Sequence, residues 1–297
     1  MSELSIVIPI YNESDSLKAF LPQLVDFAQA HNWSLILVDD GSKDDSLTQL
    51  KNFENQNTIK VISHQINRGY GAAIKTGIKA VESPWLVTID GDGQHNLEDI
   101  IKVFEVAKTD DFDLVIGNRN HEGKEDSFRK AGKGIIKSFA KLLMPMPIED
   151  LNSGFKLYKT ALAKKYAPLT PDSMAYSDVI SLVFVSQGHK IAETPITVNP
   201  RKLGKSTINI NTAFDTLLQI LNIAILFNPL KVFVPIALLC IFVGFAWGLP
   251  IVISGRGVSV GAMLAIVVGV IVFSIGLIAH QLSALRLQLV NSDYHEK

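Results

Sequence analysis

From residue 232 to residue 285 the chain carries one formal charge, Arg256, and no other feature of the sequence limits the fold as sharply. Two apolar runs lie within this stretch, at about 232–253 and about 258–279. At 1.5 Å per residue, roughly 22 helical residues span about 33 Å, enough to cross a hydrocarbon core of about 30 Å. The connector Ser254, Gly255, Arg256, Gly257 suits a tight helical hairpin. A hairpin buried in a soluble core is the alternative, and apolar runs of this length argue against it. Arg201, Lys202, Lys205 and Lys231 precede the first run and Arg286 follows the second, against one arginine in the connector. The positive-inside bias therefore predicts a multi-pass protein of the inner (plasma) membrane with both termini in the cytoplasm. The opening Met1, Ser2, Glu3 runs straight into an apolar strand-like segment, which predicts no signal peptide.

The positive mean hydropathy of +0.24 comes from this tail, leaving the polar inventory to the first 231 residues. Over the whole chain the 28 Lys+Arg and 29 Asp+Glu nearly cancel, so no footprint for nucleic acid shows. The single cysteine, Cys240, excludes an intrachain disulfide and a cysteine-based metal site. Residues 211–228 have Asp215, Gln219 and Asn222 on one helical face and apolar residues on the rest. That pattern predicts an interfacial amphipathic helix, with a helix of the soluble core as the alternative.

Before residue 210 the pattern alternates. Strand-like runs at 4–10, 35–39, 59–64, 85–90, 113–117 and 190–198 are separated by helical stretches at 14–30, 44–57, 71–81, 97–108, 129–143 and 172–187. Such a rhythm predicts an α/β domain over 1–210, with a mostly parallel central sheet and helices on both faces. Ligands of these sheets bind beyond the carboxyl ends of the strands. Those ends read Pro9 to Glu13, Asp39 to Asp44, Asn67 to Ala73 and Asp90 to His95, which together describe one polar crevice.

Each segment also has a plainer reading. Asp39, Asp40, Gly41 and Ser42 would serve equally as a turn and helix cap. Gly69, Tyr70, Gly71 resembles half of a dinucleotide fingerprint but lacks the third glycine. Asp90, Gly91, Asp92 would place two carboxylates on one side of an extended chain, a pair suited to a hard divalent cation that grips phosphate. An EF-hand beginning at Asp90 fails, because His95 and Ile101 occupy the positions that need Gly and Glu. His95 reads as a further ligand, a substrate contact or a plain polar residue.

In order along the chain, "IVIPIYNE", "LVDDGSKDDS", "NRGYGAAIKTGI" and "DGDGQHNLEDI" resemble glycosyltransferase family 2, nucleotide-sugar transferases with a GT-A fold. "VIGNR", "FRKAGKG", "EDLNSGFKLYK" and "ETPITVNPRKLGKS" are similar to the branch that glycosylates polyprenyl phosphates, the branch of dolichyl-phosphate mannose synthase. The resemblance covers residues 4–210, and paired membrane helices also occur in bacterial members. The Gln-x-x-Arg-Trp motif of processive polysaccharide synthases is missing, since Trp33, Trp85 and Trp247 do not follow an arginine. Gly91 and Gly93 around Asp92, and Asn152, depart from the commoner mannose-synthase spelling and weaken any assignment of mannose.

The resemblance implies roles position by position. Pro9, Tyr11, Glu13, Asp39, Asp40, Lys75 and Asp90 would bind the nucleotide. Asp90 and Asp92 would hold Mg²⁺ or Mn²⁺ on the diphosphate, with Gln94 completing the shell. Arg119, Arg129, Arg201 and Lys205 would meet the phosphates of donor and acceptor. Asp92, Arg119, Arg129, Asp150 and Arg201 form the implied catalytic set. A phosphate monoester has a second pKa near 6 and is already a nucleophile at pH 7, so a polyprenyl phosphate acceptor requires no strong general base. Asp150 and Asp178 would orient substrate, act as a base toward a hydroxyl acceptor, or cap helices. The expected activity is inverting transfer of one sugar from a UDP- or GDP-sugar to polyprenyl phosphate at the bilayer. A lipid hydroxyl acceptor is the second reading and a non-catalytic nucleotide-sugar-binding membrane adaptor the third, with homo-oligomerisation left open.

Overall fold

The computed structural model describes residues 2–54, 56, 58–119, 148–198, 221 and 225–295. They fall into two compact units, one holding the described residues up to 198 and the other those from 221 onward.

The first unit is built on seven strands: β1 (Leu4–Ile10), β2 (Ser34–Asp39), β3 (Ile59–Ser63), β4 (Trp85–Thr88), β5 (Leu114–Asn118), β6 (Lys156–Lys159) and β7 (Ile191–Pro195). Their order is β3-β2-β1-β4-β6-β5-β7. All neighbours run parallel except β6, which is antiparallel to both β4 and β5. Every residue of β1 is buried, as expected of a strand covered on both faces. Leu4, Ile6, Ile8 and Ile10 face a core shared with α1 (Ser14–Ala30) and α4 (Glu98–Thr109). Val7 points the other way, onto Gly77 of α3 (Tyr70–Ala80), where a side chain would collide with it. Each such buried aliphatic side chain stabilises the fold by about 1.5–3 kcal/mol. The short α2 (Ser46–Lys51) follows β2, while α5 (Thr160–Tyr166) and α6 (Tyr176–Ser186) lie between β6 and β7.

The expected α/β architecture is present, with differences at its ends. The helix expected over 44–57 is only Ser46–Lys51; Asp44 lies before it, its Oδ1 accepting from the Ser46 amide at 3.0 Å. Strand β4 stops at Thr88, and Asp90, Gly91 and Asp92 enter a turn closed by Gly93 at φ +72°, not the extended chain assumed from the sequence. Strand β6 and helix α5 were not read at all. The helix expected at 129–143, and Arg129, Arg201 and Lys205, lie outside the described residues, as does most of the 211–228 helix.

The second unit is a hairpin of α7 (Pro229–Ile253) and α8 (Val260–His295). Residues Pro229–Ile253 and Val260–Arg286 have mean hydropathies of 2.6 and 2.8. Small residues let the two helices meet closely. A methyl on Gly244 would lie 2.9 Å from the Ala262 carbonyl, and one on Gly269 would lie 2.8 Å from that of Ala237. Large side chains point outward instead, with Phe242 69% and Trp247 56% exposed. An apolar exterior of this kind matches a lipid environment, and both helices are long and apolar enough to cross a membrane.

Candidate active site

The parallel strands deliver their carboxyl ends to one edge of the sheet. Because β6 runs antiparallel, that edge receives its lead-in, residues 149–155, instead of its end.

At the β1–β2 side, Asp39 is buried at the close of β2 and accepts hydrogen bonds from the Ser42 amide (3.3 Å) and the Ser63 hydroxyl (3.2 Å). It lies in a cavity of about 560 Å³ that Tyr11, His64, Ile66 and Asn67 also line. Tyr11 is 40% exposed and Ile66 72%, so two apolar surfaces stand open beside a carboxylate. A flat heterocycle carrying an N–H suits that combination. The loops after β1 and β2 are tied together, with the Lys43 amide donating to Asn12 Oδ1 at 2.8 Å. Asn12 itself adopts φ 54°, a left-handed conformation that Asn tolerates.

Other expected nucleotide contacts serve the frame in this structure. Asp40 turns toward α3, where it accepts from His64 Nδ1 (2.6 Å) and the amides of Arg68 (2.9 Å) and Gly69 (2.8 Å). Lys75 pairs with Asp172 and donates to the Thr170 carbonyl at 3.0 Å, joining α3 to the segment before α6. Pro9 is buried within β1 opposite Val38. Glu13 immediately precedes α1 and accepts from Ser16 Oγ at 3.0 Å.

The second cluster surrounds Asp90. Tyr70 Oη donates to Asp90 Oδ1 at 2.9 Å, and His95 Nε2 lies 3.5 Å from Oδ2. Burial works to raise the Asp90 carboxyl, but the His95 and Tyr70 hydrogen bonds and the charges of His95 and Arg119 outweigh it and hold it below the usual range. Burial, with the same carboxylate, pushes the Tyr70 phenol well up. Asp92 accepts from the Gln94 amide at 3.1 Å.

Beside them, Arg119 grips Asp150 with a two-pronged fork, Nε to Oδ2 and Nη2 to Oδ1, both at 2.9 Å, and its own amide adds a third bond at 3.0 Å. Burial tends to raise Asp150, yet Arg119 holds it low, while the Asp150 hydrogen bond raises Arg119. Asp178, on α6, is pushed up by burial despite the nearby charge of Lys156. Glu193 of β7 accepts from the amides of Glu149 and Asp150 at 2.9 Å each.

Two hard carboxylate oxygen donors on one turn, with Gln94 next to them, fit a divalent cation. Among the described residues no three His, Cys, Asp or Glu side chains form a ready-made metal cage, so such a cation would share its shell with a diphosphate or water. The backbone is shaped around Asp90: a methyl on Gly154 would stand 2.5 and 2.6 Å from its two oxygens. Gly154→Ala is therefore expected to displace Asp90 and to lower stability by about 1–3 kcal/mol. Calorimetric Mn²⁺ titration and a thermal melt check both, and a variant with wild-type Mn²⁺ affinity would disprove the close fit.

The structure thus gathers Tyr11 and Asp39 at one cavity and Asp90, Arg119 and Asp150 at a second cluster. Tyr70, Lys156, Glu193 and His64 were missed. Tyr70, Lys156 and Glu193 each stand within one of the motifs quoted above, and the strand pairing that carries them to the site leaves no mark in the local sequence.

A model of glycosyl transferase family 2 matches residues 5–167, more than half of the chain. The chain belongs to glycosyltransferase family 2. Residues 228–285 match the GtrB C-terminal hairpin, so this glycosyltransferase is membrane-associated through its two apolar helices. It is 25% identical over 225 residues to dodecaprenyl-phosphate galacturonate synthase of Rhizobium johnstonii, covering 74% of this chain and 66% of the relative. To dolichol-phosphate mannosyltransferase of Pyrococcus furiosus it is 27% identical over 225 residues, 73% of this chain and 62% of that one. Undecaprenyl-phosphate 4-deoxy-4-formamido-L-arabinose transferase of Sodalis glossinidius is 26% identical over 257 residues, with coverages of 84% and 76%. The matched part is therefore just under two thirds of the first two relatives. Among solved structures, glucosyl-3-phosphoglycerate synthase of Mycobacterium tuberculosis superposes with a TM-score of 0.56 at 16% identity, covering 75% of this chain and 79% of that one. TarS of S. aureus bound to UDP-GlcNAc gives 0.52 at 18% identity, with coverages of 76% and 67%. Both likenesses are of fold, and the fold of this family 2 enzyme is GT-A.

Proposed function

We propose that this enzyme transfers one sugar from a nucleoside-diphosphate sugar to a polyprenyl phosphate at the cytoplasmic face of the inner membrane. The observation that carries the reading is the Arg119–Asp150 fork. It leaves Asp150 charged, held low and bound on both oxygens, a poor proton acceptor. A hydroxyl acceptor needs a base; a phosphate monoester, already ionised at pH 7, does not. The relatives' names agree with such an acceptor.

In this reading the base stacks between Tyr11 and Ile66 with its N–H on Asp39. Asp90 and Asp92, with Gln94, hold Mg²⁺ or Mn²⁺, which when bound would act as a Lewis acid on the diphosphate. Arg119 would meet the phosphates; Arg129, Arg201 and Lys205, the other cations expected to do so, lie outside the described residues. A phosphate oxygen of the acceptor attacks C1 in line, the C1–O bond to the nucleoside diphosphate breaks, and the anomeric centre inverts. The cations that flank the two apolar runs, Arg201, Lys202, Lys205 and Lys231 before the first and Arg286 at the end of the second, support a cytoplasmic catalytic unit by the positive-inside rule.

Asp178, the acid here that burial pushes up, favours the second reading, a lipid hydroxyl acceptor. The test uses detergent-purified protein, Mg²⁺ or Mn²⁺, undecaprenyl phosphate and radiolabelled UDP- and GDP-sugars. Label from one donor is expected to become extractable into organic solvent. Transfer only to a lipid hydroxyl, rising with pH and lost in Asp178→Asn, would replace the first reading by the second.

A further inference from the structure

Lys156 is 1% exposed at the start of β6, opposite Thr88 of β4 and Ile116 of β5. Its ammonium donates to the carbonyls of Leu151, at 2.9 Å, and Ser153. The same loop is fixed again where Thr88 Oγ1 donates to the Gly154 carbonyl at 2.8 Å. Asp150 and Gly154, the residues of this loop that touch Arg119 and Asp90, thus flank the carbonyls that Lys156 holds.

We propose that Lys156 is a positioning residue for sugar transfer: it fixes the 150–154 loop so that Asp150 meets Arg119 and Gly154 closes over Asp90, and it sets a buried positive charge beneath the phosphates. This rests on the proposed function above. Two carbonyls can be satisfied by a neutral amide or hydroxyl, so hydrogen bonding alone does not call for an ammonium. The charged groups facing it are Asp178 of α6, Asp150 of the loop, Arg119 at the end of β5 and Asp90 after β4. Burial draws Lys156 down to about 8, against the three carboxylates. Because the folded value lies below the unfolded one, Lys156 keeps its proton at pH 7 at a cost to stability, and that cost is relieved as the proton leaves above pH 8. A group placed only for stability would not show that sign.

The experiment compares the full-length wild type, Lys156→Met and Lys156→Arg in detergent, reading kcat and KM for the nucleotide sugar from pH 6.5 to 9.5, and amide hydrogen exchange over 149–155. Lys156→Met is expected to lower kcat about 100-fold at pH 7 with KM within threefold, and to speed exchange in this segment about tenfold. Wild-type kcat should fall as pH rises through 8, and Lys156→Arg should carry its activity beyond pH 9. Wild-type kcat and exchange in Lys156→Met would overturn the proposal. If that variant does not fold, a wild-type profile flat through pH 8, or one shared with Lys156→Arg, overturns it instead. Should the wild type transfer no sugar to polyprenyl phosphate, the functional reading fails by itself, while the exchange measurement still decides whether Lys156 holds the loop.

Discussion

Asp92→Ala is expected to reduce transfer at least about 1,000-fold while leaving the protein folded and membrane-inserted. The loss corresponds to about 4 kcal/mol of transition-state stabilisation, the scale of losing a Lewis acid at the departing diphosphate. The structural cost is small, because the described contact of the Asp92 carboxylate is the hydrogen bond from the Gln94 amide, worth about 1 kcal/mol. Organic-extractable label measures transfer, a thermal melt measures folding, and Mn²⁺ titration with UDP or GDP separates cation loss from nucleotide loss. A variant keeping more than a tenth of wild-type activity would remove Asp92 from the cation site.

Arg119→Ala should damage both activity and stability. Asp150 is 7% exposed at its side chain and would lose both prongs of the fork, keeping the bond from the backbone amide of residue 119 among the described residues. Removing one partner of a fully buried pair costs about 3–5 kcal/mol. The Arg119 side chain is 34% exposed, and solvent screening reduces the expectation to about 1–3 kcal/mol. Transfer is expected to fall about 100- to 1,000-fold, as for other losses of a preorganised charge. The pH dependence carries a definite sign. In the wild type Asp150 is held low, so its contribution to stability is present above the ordinary carboxylate range and lost as pH falls through its depressed folded value. The gap between wild type and Arg119→Ala should therefore be widest near neutral pH and close in acid. Arg119→Ala/Asp150→Ala should regain stability but not activity. Full recovery of transfer in the double variant would mean that the arginine acts only as a partner to Asp150.

Much of this was legible in residue pattern. Burial on both faces makes β1 a continuous apolar run, and the same demand marks β2, β4 and β5. The hairpin was legible because crossing a bilayer demands length and apolarity that soluble helices rarely combine. The acids at Asp39, Asp90 and Asp92 followed from the placement of strand ends at one edge. Less visible were features set by contacts between distant segments. Strand β6, four residues long, is too short to show alternation, and its antiparallel direction leaves no local signature. Asp40 and Lys75 sit in motifs with ligand-like chemistry, yet their nearest partners are His64 and Asp172, choices that depend on how distant segments dock.

By itself, then, the sequence determined the α/β class, the edge of the sheet where chemistry collects and the membrane hairpin, because periodicity and hydropathy are local properties of the chain, and the resemblance of its motifs to family 2 implied GT-A. Tertiary structure alone decided which charges are committed to one another. Insertion of β6 between β4 and β5 brings residues 149–155 over Asp90, pairs Asp150 with Arg119 and buries Lys156 beneath them. The physical reason is that a charge's partner and solvation depend on distances across the sheet, which no spacing along the chain records.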